Sequence, residues 1–155
     1  MSTGVQIAMD IALQFEGFAE KMPDGRYMSY WDKDGKKWTI GIGCTGPDII
    51  RGTIWTHDQC LSEFKRRMLN IANQAQSVFP KFKTFTPNQQ GAIIDFIYNC
   101  GYGLVMHNAE HLKAAILAER WQEASVLIKQ FNRSGGVVLA GLTKRRAVES
   151  RLLTK

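Results

Sequence analysis

The sequence lacks any apolar run long enough to cross a membrane. Its opening stretch, MSTGVQIAMDIALQF, is broken by Gln6, Asp10 and Gln14 and has no basic leader, so it reads as a helix of the fold, with no signal peptide and no membrane span. Cysteine is scarce: Cys44, Cys60 and Cys100 cannot all pair within one chain, and their spacing matches no zinc site. Reduced, mostly buried thiols are predicted, and no metal or other cofactor is expected. Internal repeats, low-complexity linkers, helix-turn-helix patterns and aromatic RNA-reading motifs are also missing. Solenoids are thereby excluded, and a nucleic-acid partner is not expected.

The 155 residues suit one domain, or two lobes sharing a core. A domain of this size buries roughly 68–70% of its unfolded surface without needing staples. A net charge of +6 raises encounter rates with anionic polymers but does not choose among nucleic acid, membrane and bacterial wall.

Val5, Ala8, Met9, Ala12 and Phe15 repeat at helical spacing after Ser2 and Thr3, either of which can cap the start. This helix ends near Gly17, which puts Glu16 in its last turn. There the negative end of the helix dipole favours the protonated carboxyl. Met28–Trp31 and 37–42 read as two strands around the turn Asp32-Lys33-Asp34-Gly35, and residues 44–55 read as a loop.

Capping boxes at Thr56–Gln59 and Thr86–Gln89 open helices running to about Val78 and Cys100; the second is predicted to be the most buried element. Further helices are predicted over 108–117, 119–131 and 141–153. The fold class is α+β and mainly helical, with a small N-terminal sheet lobe (about 16–55) and a helical lobe (about 56–155 plus the first helix).

A carboxyl at a helix end, together with a carboxylate and a hydroxyl on a hairpin, has a definite chemical use. Glu16 can give a proton to a leaving oxygen while Asp32, beside Thr39, stays ionised to align water; that division of labour splits glycosidic bonds. Asp24 and Asp34 remain alternatives to Asp32. His57 sits within a cap, and Trp31, Trp38, Trp55 and Trp121 are read mainly as core. The basic run Lys144, Arg145, Arg146 and Arg151 reads as a solvated helix face.

Four blocks in order, FEGF, YWDKDGKKWTIGIG, FTPNQQGAIIDFIYNCGYG and FNRSGGVVLAGLTKRRAVE, closely resemble the phage-type lysozymes, the endolysins of glycoside hydrolase family 24. The resemblance runs from about Ala8 to Arg151. It implies a lysozyme-like fold and cleavage of the β-1,4 bond between N-acetylmuramic acid and N-acetylglucosamine in peptidoglycan, for host cell lysis.

Carried over by position, it makes Glu16 the general acid, Asp32 the second carboxylate and Thr39 the water-placing hydroxyl. Arg146 becomes the buried cation paired with the catalytic glutamate, and Tyr98 and His111 become sugar-cleft residues. The expected partner is the glycan strand, met by a monomer that does not insert stably in membrane. It waits in the host cytoplasm before acting in the periplasm.

Two departures stand out. Asp32 lies 16 residues after Glu16, a longer link than in compact relatives, and Cys44 replaces a histidine many relatives carry. A lytic transglycosylase, a lysozyme-domain antibacterial toxin and a basic binding module are the rival readings.

Overall fold

Two glycines sit at a helix crossing too close for any side chain. In this computed structural model, which describes residues 3–18 and 21–155, helix α1 (Gly4–Glu16) begins against helix α3 (Pro87–Cys100). A Cβ on Gly91 would lie 2.5 Å from Ile7 Cγ2 and 3.2 Å from the Gly4 carbonyl oxygen, and one on Gly4 would lie 2.5 Å from Gln90 Cβ. Gly91→Ala gains helix propensity yet forces the two backbones apart. The expected net cost is about 1–3 kcal/mol, read as a melting temperature lowered by roughly 2–4 °C per kcal/mol.

The chain forms two units, one of residues 12–67 and one of residues 1–11 with 68–155. The boundaries fall inside α1 and inside α2 (His57–Val78), so each long helix contributes to both units.

In the unit of residues 12–67, β1 (Tyr27–Met28) pairs antiparallel with β4 (Ile54–Trp55), and β2 (Tyr30–Asp32) pairs with β3 (Lys37–Thr39). The strand expected over 37–42 stops at Thr39, because the backbone turns at Gly41 (φ 62°) and Gly43 (φ 67°). Ile40 and Cys44 exchange backbone hydrogen bonds of 2.9 and 3.0 Å across that turn. A Cβ on Gly41 would sit 3.0 Å from Cys60 Sγ, so the turn rests directly on α2. The segment expected to be loop contains β4. Thr56 and Gln59 form the predicted capping box.

The other unit is built around α3, buried through Gln89 and from Gly91 to Ile97 and opened by the Thr86–Gln89 capping box with Pro87 in its first turn. Helices α4 (Tyr102–His107) and α7 (Ala140–Leu153) pack on it, and α5 (Glu110–Leu117) and α6 (Trp121–Leu127) complete the layer, α5 against α4 and α6, and α6 against α7. The helix expected from residue 119 starts later, because Glu119 takes a left-handed conformation (φ 55°) that closes α5, and its C-terminal end tightens into a 3₁₀ turn over Ile128–Gln130. Where only a break was expected, β5 (Arg133–Ser134) and β6 (Val137–Val138) form a hairpin through Gly135 and Gly136.

The basic run on α7 is not wholly solvated. Arg145 and Arg146 are 2% and 0% exposed. Arg145 grips Asp95 on α3 through Nε (2.9 Å) and one terminal nitrogen (2.7 Å). Arg146 donates to Asn99 Oδ1 (2.6 Å) and Cys100 Sγ (3.0 Å), and its guanidinium lies over the Phe96 ring. Its Nε is 3.0 Å from Glu149 Oε2 but off the N–H direction, so that contact is an ion pair without a directed hydrogen bond.

Candidate active site

The unit of residues 12–67 carries Glu16, Asp32 and Thr39. Glu16 is the last residue of α1 and is exposed. Gly17 (φ 65°) ends the helix, and Phe18 turns back to stack on His57 (4.9 Å, 23°) and against Tyr27 (4.9 Å, 34°). His57 thus does more than sit in a cap: it helps anchor the backbone two residues after the carboxyl. That cluster went unseen in the sequence because its members come from three separate segments.

Asp32 and Thr39 lie on one face of the hairpin. Tyr30 pairs with Thr39 and Asp32 with Lys37, whereas Trp31 and Trp38 project to the other side. Diagonal neighbours on such a face stand roughly 7–8 Å apart, room for a water between two polar ends. Thr39 is 3% exposed, and its hydroxyl oxygen has no hydrogen-bond partner.

Asp32 Oδ1 accepts the Asp34 N–H (3.1 Å), which fixes the carboxylate over its own turn. Gly35 makes that possible, since a Cβ there would come within 2.5 Å of Asp32 Oδ2 and 2.8 Å of Lys37 Cε. Gly35→Ala should therefore displace the carboxylate and lower kcat by about 10–100-fold, as misplacements near 1 Å do. Thermal unfolding, measured alongside turnover, should change little, because the obstructing atoms belong to surface side chains.

The alternatives are placed differently. Asp24 is bound to Arg26 (2.7 Å) in the preceding loop, and that hydrogen-bonded guanidinium holds its carboxyl below the usual range. Asp34 is exposed within the turn. Cys44 is buried, which pushes its thiol up to about 11 against the opposing pull of Arg67; it is a packing residue, not a nucleophile.

The remaining expected site residues belong to the helical unit. Tyr98 is half-buried in the last turn of α3, and His111 is exposed in the first turn of α5. Arg146 Nε lies 3.0 Å from Glu149 Oε2, one turn along α7. No metal-binding cluster occurs among the described residues.

The chain is 30% identical over 124 residues to the SAR-endolysin of Haemophilus phage HP1, a match covering 74% of this chain and 66% of the relative, just under two thirds of that protein's length. Among solved structures, the muramidase domain of SpmX from Asticaccaulis excentricus superposes with a TM-score of 0.78 at 22% identity, covering 96% of this chain and 95% of that one. The active form of the P1 phage endolysin Lyz gives 0.77 at 21% identity, over 96% and 83% of the two chains. At those identities the likeness speaks for the fold. The family model for phage lysozyme matches residues 14–149. Since that match takes in the hairpin, the whole of α2 and α3, and both buried arginines, the chain belongs to the phage lysozyme family.

Proposed function

We propose that this protein is a peptidoglycan muramidase, hydrolysing the β-1,4 bond between N-acetylmuramic acid and N-acetylglucosamine with inversion during host cell lysis. The observation that carries the reading is the Thr39 hydroxyl: it is buried and unpaired, on the same hairpin face as Asp32. An unsatisfied buried hydroxyl costs about 1–3 kcal/mol. A water held between it and Asp32 would offset that cost and stand ready to react.

In this mechanism Glu16 protonates the bridging oxygen, and the C1–O bond breaks with its electron pair going to that oxygen. Water adds to C1 from the opposite face and passes its proton to Asp32. By resemblance to the family, Tyr98 and His111 take the sugar contacts and Arg146 the pairing with the catalytic glutamate. The protein works as a monomer on the wall from the periplasm after being held in the host cytoplasm. Among the described residues no helix is long and apolar enough to cross a membrane.

Thr39→Val should lower kcat by roughly 10–100-fold, the worth of one hydrogen bond to the reacting water, while Thr39→Ser keeps most of the activity. The reaction class is tested by mass spectrometry of the muropeptides released from purified sacculi. Hydrolysis leaves reducing muramic acid ends. Anhydro ends, the mark of a lytic transglycosylase that uses no water, would overturn the proposal.

A further inference from the structure

Trp31 and Trp38 face each other across the β2–β3 pair, on the side of the hairpin away from Asp32 and Thr39. Trp31 is 49% exposed, and Trp38 beside it is half-buried. Their rings meet nearly edge to face, with centroids 5.6 Å apart and planes at 69°. That contact holds the outer indole at a fixed tilt, so little rotamer freedom is left to lose when a ligand lies on it. The adjoining turn exposes Lys33 and Lys36, with Asp34 between them and the Asp32 carboxylate held over the turn by the Asp34 N–H. Lys36 has φ 49°, in the left-handed region where glycine would be unstrained, so a cation stands there at a backbone cost.

We propose that Trp31, backed by Trp38 and flanked by Lys33 and Lys36, is a second glycan-binding surface, separate from the catalytic face. It takes a sugar ring of a peptidoglycan strand on the exposed indole and the carboxylates of the attached stem peptides on the lysines. A β-linked pyranose turns a face of C–H bonds outward while its hydroxyls stay in water at the ring edge, which matches a flat apolar surface ringed by solvent. The stem carboxylates give the strand the charge that complements the two lysines. Holding an insoluble polymer at a second point raises the effective concentration of its next scissile bond. The choice of polymer rests on the proposed muramidase function; the platform itself rests on the hairpin geometry.

The test is co-sedimentation with purified sacculi, using Glu16→Gln protein so that the polymer stays intact. Adding Trp31→Ala should weaken binding about five-fold or more, adding Trp31→Tyr should largely preserve it, and the Lys33→Ala/Lys36→Ala pair should remove much of its salt dependence. In the active protein, Trp31→Ala should slow clearing of sacculi yet leave turnover of a short soluble muropeptide oligosaccharide unchanged. Equal binding with and without Trp31, in protein whose fold is verified by thermal unfolding, would overturn the proposal. Should wild type bind sacculi through Trp31 but cut no bond in them, the muramidase reading falls and the platform stands.

Discussion

Glu16→Gln is expected to remove essentially all lytic activity while leaving a folded protein. A positioned general acid contributes about 10²–10⁴-fold, and the amide keeps the shape of the carboxyl but has no proton to give. The assay is the clearing of outer-membrane-permeabilised Gram-negative cells, with circular dichroism to confirm the fold. The position explains the size of the effect: the carboxyl ends α1, Gly17 stops the helix, and Phe18 pins the chain against Tyr27 and His57. Equal clearing by the variant and wild type would remove Glu16 from the mechanism.

The second large effect concerns stability. Asp95→Ala takes the bidentate carboxylate away from Arg145, in a site where both side chains are almost wholly buried. Arginine cannot shed its charge, so the expected loss is about 3–5 kcal/mol, seen as a melting temperature roughly 6–20 °C lower. Glu149 should behave in the opposite way.

Burial pushes its carboxyl well above the ordinary value of 4.5, the Arg146 guanidinium opposes that, and the Asp95 carboxylate adds to it. The folded state therefore binds the Glu149 proton more tightly than the unfolded state does. Stability falls as pH rises from about 4.5 toward the raised folded value, by up to about 1.4 kcal/mol per pH unit. Glu149→Gln should flatten that slope and gain its advantage at neutral pH. Urea denaturation at pH 5 and pH 7 would show it, and identical slopes for the two proteins would contradict it.

Both effects bear on what the sequence makes legible. Local chemistry was readable: the boxes at Thr56 and Thr86, the glycines that end α1 and α3, and the hairpin turn after Asp32 all act through residues within four positions of one another. Burial of charge was not. Nothing around Lys144–Arg151 reports Asp95, about fifty residues away, and a basic helical run has the same pattern whether it meets water or a buried carboxylate. The short helix α4 was missed because its six residues have no side-chain cap and follow directly on Gly101. The Gly135-Gly136 hairpin carried a usable signal, two glycines between β-tolerant residues, that reading the segment as a helix break discarded. For the candidate site, the residue types and their spacing singled out Asp32 and Thr39, but only the strand register puts them on one face and sends Trp31 to the other.

The most direct test of the mechanism is the configuration of the sugar at the moment of release. Proton NMR of a soluble muropeptide oligosaccharide, recorded early in the digestion before mutarotation, should show the α-anomer of the new reducing end, as a single attack by water on a β-linked sugar requires. An initial β-anomer would mean that the water placed by Asp32 and Thr39 does not strike the opposite face, and would contradict the account.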